Sequence, residues 1–219
     1  MKIVATDVAK GHDGSALPAI SCAFETGRVS LIEAETGQRP TVLSLILSGR
    51  MHPDAGAVTI DGAHDPALMR DRIALVDAPE VSDPADDLLL RQVAKEELMY
   101  ADRSTDRATV HQVIDDNGGH GYADARMGDI PGALRTRILA ELAAFRREVQ
   151  GVVLAAPDRH GGDPREWFAV AQDLAARDFA VAVVVGAPSA EILRPLLPPE
   201  PEPAATPEPA PHPAEEAQA

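Results

Sequence analysis

The sequence predicts a mixed α/β fold with a largely parallel core sheet. Three observations carry that prediction. The run 181–185 is almost all valine, the pattern of a strand covered on both faces. Elements that read as β come first, a long helical stretch follows, and strand and helix then alternate to the end, the order of a mixed α/β domain. Between them, Val29-Ser30-Leu31-Ile32, a loop and an apolar helix from Thr41 to Leu47 make the strand–loop–helix unit in which such folds place an anion site.

Each element has its own local reason. Lys2 to Val8 alternates as a half-buried strand, and Ala19 to Glu25 follows the turn cluster Gly11-His12-Asp13-Gly14. Glu25-Thr26-Gly27-Arg28 turns the chain into Val29–Ile32. The helix from Thr41 ends near Gly49, a favoured cap residue. Pro53-Asp54-Ala55-Gly56 is a turn, Ala57 to Ile60 a strand, Asp61-Gly62 another turn, and Arg72 to Val76 a further strand. From Pro84 to Val149 the pattern is helical, with amphipathic segments at Leu88–Tyr100 and Thr109–Ile114. A long helix over Gly132–Glu148 is read from Leu134, Ile138, Leu139, Leu142 and Phe145. Gly151 to Ala156 is a strand stopped by Pro157. Helices at Pro164–Arg177 and Ser189–Leu196 flank the valine strand. From Pro198 onward the composition is Pro, Glu and Ala, which predicts a disordered acidic tail over residues 198–219.

Bulk properties narrow the function classes. Roughly two hundred residues suffice for one domain with a sizeable core. Aromatics are 3% of the chain, so the core is aliphatic. A formal net charge of −15 repels nucleic acid and anionic membrane surfaces alike. The single cysteine, Cys22, rules out an internal disulfide and reads as a small buried hydrophobe. No stretch reaches the ~18 apolar residues of a membrane span, and Met1–Lys10 lacks a signal-peptide core, so the expectation is a cytoplasmic protein that reaches a membrane only through a partner. The seven histidines are scattered, and none pairs with Cys or another His at metal-ligand spacing, so no metal site is expected.

The stretch Leu43 to Gly62 resembles the nucleotide-binding subunits of ABC transporters: a leucine-rich helix, a glycine, then Pro53-Asp54-Ala55-Gly56 and a strand ending in Asp61-Gly62. The resemblance in order and spacing covers residues 1–197. It implies a P-loop NTPase-like, ABC ATPase-like core, an N-terminal antiparallel β subdomain, and a helical subdomain at about 84–148.

The family's chemical groups match far less well. Its phosphate loop is G-x-x-x-x-G-K-[ST], in which backbone N–H groups cradle phosphates, the lysine reaches the β/γ-phosphates and the hydroxyl holds Mg²⁺. Aligned backwards from the helix, the glycines fall on Ala34 and Arg39, the lysine on Pro40 and the hydroxyl on Thr41, while Gly37 remains. Pro40 offers neither cation nor N–H, and it disfavours the α conformation at Arg39, which is read as an exposed loop arginine. The family's glutamine falls near Ala78; Asp77 and Glu80 beside it are read as surface acids in a turn. The signature Leu-Ser-Gly-Gly-Gln corresponds to Ile130-Pro131-Gly132-Ala133-Leu134. The two acids that order Mg²⁺ and activate water fall on Ala155 and Ala156, before a retained Pro157. His160-Gly161-Gly162-Asp163 resembles the dimer-contact turn, and the γ-phosphate histidine falls on Gly186.

The resemblance thus implies a degenerate nucleotide site of His12 (at the adenine-stacking position), Gly37, Arg39 and Thr41, with no catalytic residue, no metal ligand, and at most weak binding of ATP with Mg²⁺. The function expected is a structural or regulatory partner of a membrane permease or of a homologous ATPase subunit, as a homo- or heterodimer. Two alternatives stand beside it: a subunit completing a composite ATPase site in a heterodimer, and a scaffold unrelated to transport that docks through its acidic tail.

Overall fold

The computed structural model describes residues 1–35 and 37–198. Thr36 and residues 199–219 lie outside the described residues, and with them the tail predicted from Pro198. Two sheets organise the chain. β1 (Lys2–Lys10) is the middle strand of an antiparallel sheet, flanked by β2 (Leu17–Glu25) and β4 (Ala55–Ile60). The second sheet is parallel throughout, in the order β3 (Val29–Glu33), β7 (Ala180–Val185), β6 (Gly151–Ala155), β5 (Ile73–Val76).

The two-residue period of the parallel strands sorts their side chains into two cores. Val181, Val183 and Val185 of β7, with Val152 and Leu154 of β6, join the core built with α3 (Leu90–Tyr100), α4 (Arg107–Asp116), α5 (Gly132–Ala144), α6 (Pro164–Ala176) and α7 (Ala187–Leu193). Ala180, Ala182 and Val184, with Val153, face the core shared with α1 (Arg39–Leu47) and the antiparallel sheet. Central strands buried on both faces explain why 181–185 shows no polar alternation.

Several element boundaries differ from the sequence prediction. α2 (Pro66–Arg72) replaces an expected loop; Asp65 caps it by accepting from the Leu68 N–H at 2.9 Å, and proline opens it. α1 begins at Arg39 rather than Thr41. Pro40 fits there because the first helical N–H groups have no intrahelical partner to lose. Arg39 is therefore helical and partly buried, not an exposed loop residue. α5 stops at Ala144, four residues before the predicted end. The chain has to leave it to reach β6, and the turn is held by Arg146 on Glu97 (2.6 Å) and by Arg103 over the Phe145 ring (4.9 Å). Cys22 is half-buried against the second core, and burial raises its thiol to about 11.

The turn after α1 requires its glycine. Gly49 has φ +71°, and a Cβ there would sit 2.7 Å from the Pro66 carbonyl and 2.8 Å from the Met69 Cβ. Both the backbone angle and the packing of α2 against this turn exclude a side chain. Gly49→Val is expected to lower stability by about 2–4 kcal/mol, from left-handed strain plus overpacking, read as a shift in the urea midpoint. An unchanged midpoint would mean that α2 does not pack here.

Candidate functional site

The loops that follow β3, β5, β6 and β7 all leave the carboxyl end of the parallel sheet, the end at which open α/β sheets bind ligands. There they surround a cavity of about 440 Å³ whose lining includes Glu35, Gly37, Thr41, Asp158, Arg159 and Gly186. Gly37, with φ +57°, and Thr41 are thus placed on the cavity. Arg39 opens α1 but does not line the cavity, and among the described residues its side chain makes no hydrogen bond or ion pair. His12 is also outside it: its ring is 95% exposed and stands 2.9 Å from Asp13.

Two backbone donors at this end of the sheet are already in use. The Gly186 N–H donates to Asp158 Oδ2 at 3.0 Å, and the Ala187 N–H donates to Glu35 Oε1 at 3.0 Å. At the start of α1, the Val42 N–H is taken by the Gln38 carbonyl at 2.9 Å, and Pro40 has none to give. Two carboxylates of the chain itself therefore occupy positions where a phosphate would want positive charge. Across the cavity, Ala155 closes β6 at 1% exposed, and Ala156 follows in the left-handed conformation (φ +49°, ψ +53°). Neither side chain carries an oxygen that could hold a metal ion or a water.

Arg159, a cation on this cavity, is directed elsewhere. Its Nη2 lies 3.1 Å from Asp77 Oδ1, and its Nη1 donates to the carbonyls of Asp77 and of Ala155, the latter at 3.0 Å. Asp77 is not the surface acid that its position beside Pro79 suggests; it is 5% exposed. Arg135 of α5, 2% exposed, donates to it from Nη2 at 2.9 Å and from Nε at 3.1 Å, and His160 Nε2 donates to Oδ2 at 2.8 Å. Arg135 is completed by the carbonyls of Met127 and Pro84, both at 3.2 Å. Burial pushes the Asp77 carboxyl up, but the hydrogen bonds from His160 and Arg135 and the charges of Arg159 and Arg135 outweigh it and hold the group lowered to about 2.

This cluster joins the end of β5, the start of α5 and the turn after β6. Gly132 lets α5 approach that turn; a Cβ on it would meet the His160 Cβ at 2.9 Å. Sequence reasoning missed the cluster because the partners of Asp77 lie 58 to 83 residues from it. The neighbouring Ala78 is fully buried and its carbonyl accepts three N–H groups of the following turn.

The side chains present do not fit a magnesium nucleotide. Thr41 supplies a hydroxyl, but the cation on the lining, Arg159, is committed to Asp77, and the Gly186 N–H to Asp158.

No family model matches the chain. It is 28% identical over 191 residues, 84% of this chain and 81% of the relative, to the phosphonates import ATP-binding protein PhnC 1 of Natronomonas pharaonis. Among solved structures it resembles a nucleotide-free ATP-binding cassette from an ABC transporter (TM-score 0.64, 16% identity, 90% of this chain and 85% of that one). It also resembles a dimeric bacterial ABC transporter cassette (TM-score 0.62, 15% identity, 84% and 87%). Among the described residues no helix is long and apolar enough to cross a membrane. A parallel sheet carrying its loops at one end and an antiparallel sheet on its flank give the chain the fold of the ABC ATPase cassettes, and along four-fifths of its length its sequence is similar to an ATP-binding subunit of that kind.

Proposed function

We propose that this chain is a cassette that does not hydrolyse ATP and serves as a structural or regulatory partner of a membrane permease, or of a homologous ATPase subunit, at the cytoplasmic face of the membrane. The observation that carries the reading is the state of the cavity: Glu35 and Asp158 hold the N–H groups of Ala187 and Gly186, and Arg159 is committed to Asp77. Charge-assisted hydrogen bonds contribute about 1.5–3 kcal/mol each. Loss of two weakens nucleotide binding by roughly two to four orders of magnitude, at about 1.4 kcal/mol per tenfold. Hydrolysis needs more than binding: a metal ligand and a base for water, and Ala155 and Ala156 supply neither. What the fold retains is shape, and shape is what a partner surface uses.

Melting the purified protein with and without millimolar MgATP tests this. A ligand at a hundredfold excess over its Kd adds ~2.7 kcal/mol, or roughly 5–10 °C in a domain of this size. The reading predicts no shift. A shift of that size would mean that the cavity still takes nucleotide despite Glu35, Asp158 and the turned Arg159, and the argument from the cavity would fall.

A further inference from the structure

A second cavity, of about 750 Å³, lies between α3 and α4, away from the one just described. One wall is a stripe of α3, with Arg91, Lys95 and Met99 spaced four residues apart so that all three project from the same face. The other is the first turn of α4, with Arg107, Val110 and His111. The floor is apolar: Val110 is buried and Met99 is 60% exposed into the groove. The rim is cationic. Arg91 is paired with Asp124 at 2.5 Å, but Lys95 and Arg107 make no hydrogen bond or salt bridge among the described residues. Glu96, the remaining acid on the lining, accepts from the Tyr100 hydroxyl at 3.3 Å. Asp124 feels Arg107 as well as Arg91, so the lining sets three cations, Arg91, Lys95 and Arg107, against two acids, Glu96 and Asp124, in a chain of net charge −15.

Other basic surface does not match it. The cavity bordered by Arg50, Arg70, Arg146 and Arg147 has three of its four guanidinium groups spent on backbone carbonyls and on Glu97, and Asp71, Asp102 and Glu148 lie among them.

We infer that this groove is the docking site of the chain's own C-terminal segment, residues 199–219. The segment's chemistry is complementary in both respects. It carries Glu200, Glu202, Glu208, Glu215 and Glu216 with no Lys or Arg, and Pro and Ala make up most of the rest. Its carboxylates suit Lys95 and Arg107, and its proline rings suit Met99 and Val110, in the way proline-rich peptides lie on apolar grooves. Reach is sufficient: at ~3.1 Å per residue the segment spans up to about 65 Å from Pro198, against ~40 Å across a domain of this size. Tethering supplies the rest. Exposed ion pairs contribute only ~0.2–1 kcal/mol each, but a segment attached by its own chain acts at an effective concentration near the millimolar range. The inference does not depend on whether the first cavity binds nucleotide.

The test uses the full chain with Cys22→Ser and Ala219→Cys, a nitroxide on the new thiol, and backbone amide spectra. Docking predicts selective broadening of the Lys95, Met99 and Arg107 amides. It also predicts recovery of those signals in the Lys95→Glu/Arg107→Glu variant. About 1 M salt should restore them too, since the screening length falls to about 3 Å from about 8 Å at 0.15 M. Either of three results overturns the inference: no broadening at α3 and α4, broadening that survives both charge reversal and salt, or broadening that arises only between a labelled and an unlabelled copy.

Discussion

Asp77→Asn is expected to destabilise the protein by about 3–5 kcal/mol, the largest single-residue effect that the structure predicts. The substitution keeps the size of the side chain and removes its charge. Arg135, 2% exposed, is then left as a buried cation with only two carbonyls and the distant Asp86 (3.8 Å) around it. Arg159 and His160 lose the same partner. Removing one member of a buried ion pair costs more than removing both, because the survivor keeps its desolvation penalty and loses its compensation. The double variant Asp77→Asn/Arg135→Met is therefore expected to be more stable than Asp77→Asn alone, a coupling that urea unfolding of the three variants and the parent measures directly. A single-variant loss below about 1 kcal/mol would show that the cluster does not hold α5 to the sheet.

The second large effect is in acid. The Asp77 carboxyl is held at about 2 in the folded chain, against an ordinary 3.8. A carboxylate whose folded value is lowered stabilises the fold above its unfolded value, and loses that contribution as pH falls through the folded one. The window is thus from about pH 4 down to about pH 2, and the contribution lost is about 2–3 kcal/mol, an order-of-magnitude figure from a difference of nearly two pH units at 1.36 kcal/mol each. Asp77→Asn removes the titrating group, so stability measured between pH 5 and pH 2 should fall less steeply in the variant than in the parent. Equal slopes would assign the acid sensitivity to other carboxylates.

These effects sit at a place that the sequence did not reveal, while much of the frame was legible. The valine strand, the alternation of β1 and the turn glycines Gly49 and Gly56 are set by local rules, which leave a local trace: a period, a conformation or a cap. α2 also left one, since Asp65-Pro66 is an N-cap followed by proline, but the short helix behind it is too brief for a clear period. The overlong reading of α5 failed because Phe145 and Arg146 continue the helical pattern, and only packing against α3 and the return to β6 stops it. Asp77 was misread for a different reason. A lone aspartate beside a proline is usually exposed, and its burial depends on Arg135 and on Arg159 and His160, 58 to 83 residues away. The candidate site divides in the same way. The missing groups at Pro40, Ala155, Ala156 and Gly186 are visible as letters, whereas the carboxylates of Glu35 and Asp158 that fill the freed N–H groups appear only once the sheet brings four loops together.

At the centre of the account is a cavity at the carboxyl end of the parallel sheet where Glu35 and Asp158 hold two backbone N–H groups and Arg159 is turned to Asp77. Phosphate release by the purified chain in millimolar MgATP, measured beside a Thr41→Ala variant prepared identically, tests that claim most directly. The account predicts the same background rate for both proteins, because Ala155 and Ala156 bring neither a side-chain metal ligand nor a base for water. Steady turnover by the parent that Thr41→Ala abolishes would contradict it.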